Sequence, residues 1–107
     1  GILQLHGYLQ QTYPLVHNAF TKTVINKYSL LYNWQGKNSQ LAPIILIAHM
    51  DVVPVEDEVS VKWDVAPFSG TVKDGFIWGR GALDDKGSVI AILETIEELI
   101  KKGFTPN

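Results

Sequence analysis

The sequence predicts an α/β domain: a mixed β-sheet with helices packed on its faces. Three observations lead there. Val89, Ile90, Leu93, Ile96, Leu99 and Ile100 recur at helical spacing and form one apolar stripe. Ile44 to Ala48 is apolar throughout, as expected of a central strand buried on both faces. Thr71-Val72-Lys73, Asp74-Gly75 and Phe76-Ile77-Trp78 read as a short hairpin closed by a tight turn. Helix, strands, buried strand, hairpin and helix follow one another along the chain, an order that suits helices layered on a sheet.

The elements can be justified in order. Ile2, Leu5, Tyr8 and Leu9 give Gly1 to Tyr13 the spacing of a short amphipathic helix. Pro14 is expected to end it. Phe20 to Ile25 and Tyr28 to Gln35 are rich in aromatic and β-branched residues, so they read as strands turning at Asn26-Lys27. Gly36 to Gln40 is a polar loop, and Glu56-Asp57-Glu58 reads as a solvated acidic loop. From Gly87 the pattern is helical. Glu94, Glu97, Glu98, Lys101 and Lys102 are expected away from the stripe, the lysines complementing the helix dipole. Gly103 suits the residue just past the helix end.

Composition narrows the function classes. The 107 residues fit one small domain, with 46% hydrophobic and 19% charged residues. A net charge of -2 favours neither nucleic acid nor an anionic membrane surface as partner. There is no cysteine, which excludes disulfides and thiolate metal ligands. The longest apolar run falls far short of the ~20 residues of a membrane span. No signal peptide is visible. With no initiator Met and an end at Thr105-Pro106-Asn107, the sequence reads as a piece of a longer protein.

Two places carry chemistry. His49 ends the apolar run and opens His49-Met50-Asp51. A histidine after such a run is either a satisfied structural residue or a metal ligand. On a strand, Asp51 would point the same way as His49 and could hold the ring in the tautomer that frees its other nitrogen. Asp84-Asp85 precedes the second helix. An acidic residue there can serve as N-cap, the reading that suits Asp85. Two adjacent carboxylates also repel, and a cation relieves the repulsion. Imidazole and carboxylate together suit a hydrolytic zinc site. Gly79-Arg80-Gly81 fits neither a dinucleotide fingerprint nor a Walker loop, because later residues fall at the wrong spacing. Arg80 could meet a carboxylate substrate, although a structural salt bridge is the expectation. His6 and His17 lie outside any motif and are expected to have no metal role.

His49-x-Asp51, Trp63-x-x-x-Pro67-Phe68 and the run from Trp78 to Gly87 resemble the motifs of the M20 family of dinuclear zinc peptidases. The likeness extends from about Leu30 to Gly103 and is greatest to the carboxypeptidase S and N-acyl-amino-acid hydrolase branch. It implies that this chain is the N-terminal portion of a catalytic domain built as an α/β/α sandwich. It implies His49 as a zinc ligand, Asp84 as the carboxylate bridging two zinc ions, and Asp51 as the catalytic residue that orients and polarises His49. It also implies a cis peptide bond between Asp84 and Asp85. Trp63, Pro67 and Phe68 are expected to pack a loop wall.

The resemblance also shows what is missing. The family's general base is one of two consecutive glutamates downstream, and further ligands complete its metal sites. Glu97-Glu98 lies too close to the second motif and is expected on a helix surface. The leading expectation is therefore a zinc-dependent hydrolase of peptide or N-acyl amino acid amide bonds. It would use two Zn2+ per complete site, with one or none held by this chain alone. The alternative is a non-catalytic truncated isoform or degenerate homologue that survives as a fold or interaction module.

Overall fold

A computed structural model describes residues 1–56 and 62–107. Asp57 and Glu58 of the expected acidic loop lie outside the described residues, and Glu56 is exposed. The chain forms two units, Gly1–Leu46 with Ala91–Asn107, and Ile47–Ile90. Among the described residues, helices combine with short antiparallel strands. No helix among them is long and apolar enough to cross a membrane.

In the first unit, α1 spans Ile2–Thr12 and α2 spans Pro14–Ala19. Pro14 closes the first helix and also opens the second. It occupies the first position of α2, where its missing N–H costs nothing and its fixed φ is already helical. β1 (Thr21–Ile25) and β2 (Ser29–Asn33) pair antiparallel, with Ile25 opposite Ser29. Asn26 and Lys27 make the turn at positive φ (48° and 70°), as the sequence suggests. α3 spans Lys86–Lys101, so its first turns belong to the second unit and its remainder to the first. It ends in a Schellman motif. Gly103 stands at φ 75°, its N–H reaches the Ile100 carbonyl, and the Phe104 N–H reaches that of Leu99.

The first unit's core is small. Leu9, Tyr13, Val16 and Leu93 are buried, and a chain of ring contacts links His17, Tyr32, Phe20, Trp34 and Phe104. Glu97 is buried with them at 4% exposure, contrary to the expected surface position. The reason is capping. Its carboxylate accepts the Leu15 N–H at 3.1 Å and the Val16 N–H at 2.9 Å. Tyr13, the N-cap of α2, supplies no side-chain hydrogen bond. Glu97 therefore satisfies two N–H groups that the helix cannot satisfy itself, and it places negative charge at the positive end of the helix dipole. Its four-residue spacing from Leu93 puts it on the buried face.

In the second unit, β3 (Thr71–Lys73) and β4 (Phe76–Trp78) form the expected hairpin. Asp74 and Gly75 turn it at φ 55° and 80°. The expected central strand does not form. Residues 44–48 carry no strand, and Ile44, Ile45, Leu46 and Ile47 are 63–90% exposed. A central strand needs hydrogen-bonded neighbours on both edges. Among the described residues the strands pair only as two separate two-stranded antiparallel sheets, in place of the expected mixed sheet.

Replacing Glu97 by Ala leaves two N–H groups without their charged acceptor. It is expected to cost about 2 kcal/mol in urea unfolding, and Glu97→Gln less. Equal stability of all three chains would show that the cap does not matter.

Candidate functional site

The second unit brings the chemistry-bearing residues of both motifs together. His49 Nε2 lies 3.1 Å from Asp84 Oδ1. On the other side of the ring, Nδ1 is 3.2 Å from the Asp51 carbonyl oxygen and 3.3 Å from Asp51 Oδ1. The His49 main-chain N–H donates to Asp85 Oδ2 at 3.1 Å. The Asp84–Asp85 peptide bond is cis. His49 is thus held through its ring by Asp51 and Asp84 and through its backbone by Asp85.

Both ring nitrogens face oxygen acceptors, Nδ1 the Asp51 carbonyl and carboxylate and Nε2 the Asp84 carboxylate. A hydrogen on either nitrogen finds an acceptor, and a ring carrying one on each satisfies both sides. With the hydrogen on Nδ1, Nε2 is the nitrogen free for a metal cation. Burial pulls the His49 pKa down. The hydrogen bonds to Asp51 and Asp84 and the charges of both outweigh it, so the imidazole stands above its usual value.

Asp51 meets His49 by a route other than the expected one. Residues 47–53 are not a strand, so alternation along a strand does not align the two side chains. Irregular backbone brings both the carbonyl and the carboxylate of Asp51 to the ring. Asp85 behaves as the sequence suggests for an N-cap at the start of α3. Hydrogen bonds from Ser88 and from the His49 N–H hold its carboxyl below the usual carboxylate range.

A cavity of about 210 Å³ opens on this cluster, lined by His49, Val52, Val53, Trp63, Arg80 and Asp84 among others. The glycine-rich segment shapes its wall. Gly81 is buried at φ 84°, and a Cβ there would run into the Val52 and Lys86 side chains. The Arg80 N–H donates to the Pro67 carbonyl at 2.6 Å, tying the Trp63–Phe68 segment to this wall. Phe68 itself is 64% exposed, so the expected packing role does not extend to it.

Arg80 makes no salt bridge among the described residues, contrary to expectation. Its guanidinium lies 5.5 Å from the Trp63 ring centroid, a cation–π arrangement. The other histidines have partners in the first unit. His6 Nε2 meets the Tyr28 carbonyl, and His17 bridges the Tyr13 carbonyl and the Tyr32 hydroxyl.

The donor chemistry suits a metal in part. His49 Nε2 and Asp84 offer one nitrogen and one carboxylate at a common point. No group of three His, Cys, Asp or Glu residues able to hold a metal occurs among the described residues. A catalytic zinc usually takes three protein ligands plus water. The pair fits as two members of a larger ligand set.

Comparison with known proteins agrees with the family resemblance. The family model described as Peptidase family M20/M25/M40 matches residues 45–107. The chain is 49% identical over 104 residues to the probable carboxypeptidase S-like 2 of Dictyostelium discoideum, covering 97% of this chain and 20% of that protein. It is 42% identical over 106 residues to carboxypeptidase S of Saccharomyces cerevisiae, covering 97% of this chain and 18% of that one. It is 45% identical over 101 residues to the N-fatty-acyl-amino acid synthase/hydrolase PM20D1 of Xenopus tropicalis, covering 92% of this chain and 19% of that protein. The chain thus spans about a fifth of the length of these curated relatives. No solved structure matches it.

The two glycines flanking Arg80 should respond differently to a methyl group. Gly81→Ala combines positive φ with a collision against Val52 and is expected to destabilise by about 2 kcal/mol. Gly79→Ala meets its nearest atoms at 3.4 Å and should cost under about 1 kcal/mol. Thermal melts of the two variants check this, and a reversed order would contradict the described wall.

Proposed function

Since this chain belongs to peptidase family M20/M25/M40, we propose that it contributes the first two metal motifs of a zinc-dependent hydrolase acting on peptide or N-acyl amino acid amide bonds. The observation that carries this reading is the approach of His49 Nε2 to Asp84 Oδ1 at 3.1 Å, with Asp51 on the opposite ring nitrogen. The relatives named for carboxypeptidase and N-fatty-acyl-amino acid hydrolase activity support the substrate class.

Each residue has a role that follows from its contacts. His49 offers Nε2 as a ligand, with its hydrogen on Nδ1 toward Asp51. Asp51 acts through His49: its negative charge raises the basicity of the ring and fixes its orientation. Asp84 has two carboxylate oxygens, enough to touch two metal ions at once. Asp85 pins the His49 backbone to the start of α3 and keeps the ligand from swinging away. Val52, Val53 and Leu83 contribute the apolar part of the cavity lining. Two zinc ions, when bound, supply Lewis acidity that polarises the scissile carbonyl and acidifies water.

The general base comes from residues outside 1–107. Glu97 is committed to capping α2, and Glu98 Oε1 pairs with Lys101 at 2.6 Å. The same reading makes the chain part of an α/β/α sandwich. The exposed run Ile44 to Ile47 then finds its neighbouring strands in further sequence, and that pairing buries it.

The test is hydrolysis of dipeptides and N-acyl amino acids by the full protein that carries this chain. Turnover should vanish with a chelator and return with zinc. His49→Ala and Asp84→Ala should each lower kcat/KM by more than about 100-fold, and Asp51→Asn by about 10- to 100-fold. The 107-residue chain alone should be inactive. Chelator-resistant turnover, or full activity in His49→Ala, would remove the metal-site reading.

A further inference from the structure

We propose that Ser88 is a positioning residue. Through the Asp85 carboxylate it fixes the His49 backbone, and so it sets how tightly the His49–Asp84 pair holds zinc. This rests on the zinc-hydrolase reading for the metal but on different atoms for its geometry. Asp85 stands where the two motifs meet. Its carbonyl accepts the Val89 N–H at 3.2 Å, the bond that opens the α3 ladder. That makes Asp85 the N-cap and Ser88 the third residue of the first turn, whose N–H an N-cap carboxylate accepts. Asp85 Oδ2 also accepts the His49 N–H at 3.1 Å. Hydrogen bonding to the Ser88 side chain, and then to the His49 N–H, keeps the Asp85 carboxyl below the usual carboxylate range. One carboxylate thus joins the start of α3 to the backbone of the first motif.

The carboxylate steadies His49 only while it is itself held. The main chain around Asp85 is fixed on both sides. The Ala82 N–H donates to the Gly79 carbonyl and the Lys86 N–H to the Gly81 carbonyl, each at 3.2 Å. A Cβ on Gly87 would meet the Ala82 carbonyl oxygen at 3.1 Å, so the helix start lies close against that loop. The freedom left to Asp85 is rotation of its side chain, and Ser88 restricts it. His49 lies in irregular backbone, so no regular ladder holds its N–H and Asp85 takes that part. A histidine already in place binds a metal without first being ordered, and loosening its support weakens binding.

The experiment measures zinc affinity of the full protein that carries this chain, by competition with a chelator. Ser88→Ala should weaken zinc binding by about 3- to 10-fold and Asp85→Ala by about 10- to 100-fold. Ser88→Thr keeps the hydroxyl and should bind zinc as the wild type does. Adding Ser88→Ala to Asp85→Ala should change nothing further, because Ser88 acts through Asp85. In the zinc-free protein, amide hydrogen exchange at His49 should quicken in Ser88→Ala and not in Ser88→Thr. Ser88 is exposed, so neither exchange disturbs the core. If Asp85→Ala fails to fold, the two Ser88 variants decide. A lower melting temperature in Ser88→Ala with unchanged zinc affinity and His49 exchange would mean a helix cap alone and overturns the proposal. Equal losses in Ser88→Thr, or no zinc binding by the wild type, overturn it too. Turnover separates this inference from the hydrolase reading. Ser88-dependent zinc binding without any amide hydrolysis leaves the inference standing and sinks the enzyme. Zinc-dependent hydrolysis with unchanged affinity in Ser88→Ala does the reverse.

Discussion

The site depends on one histidine gripped by two consecutive aspartates. Asp84 faces the His49 ring, Asp85 holds its backbone N–H, and Asp51 occupies the remaining ring nitrogen. Three carboxylates around one imidazole concentrate negative charge, and that favours the protonated ring. The hydrogen bonds and charges of Asp51 and Asp84 accordingly hold the His49 pKa above the usual value.

The same logic of unmet valence runs through the rest of the molecule. Glu97 is buried because α2 has N–H groups to satisfy and no side-chain cap of its own. Ile44 to Ile47 are exposed because no strand among the described residues pairs with them. Arg80 Nε is buried with no hydrogen-bond partner among the described residues.

How much the sequence revealed follows from the range of the interactions involved. Both hairpins and the end of α3 were legible, because Asn26-Lys27, Asp74-Gly75 and Gly103 act on their own backbone. The approach of His49 to Asp84 was expected from motif resemblance, since the two are 35 residues apart and no local pattern links them. Glu97 escaped because its partners lie 81 and 82 residues away, and polarity alone suggested the surface. A signal was present: its four-residue spacing from Leu93 sets it in line with the apolar stripe. The central strand was misjudged because hydrophobic content says that a segment wants burial and not that neighbours are at hand. Arg80 was expected in a salt bridge, since charge alone does not show that an aromatic face will hold it.

The most direct measurement is anomalous diffraction at the zinc edge from crystals of the full, zinc-loaded protein. The account predicts a zinc peak about 2.0–2.2 Å from both His49 Nε2 and an Asp84 carboxylate oxygen. The Asp51 carboxylate should remain on the Nδ1 side of the ring, away from the metal. Zinc bound elsewhere, with His49 and Asp84 still paired directly to each other, would contradict it.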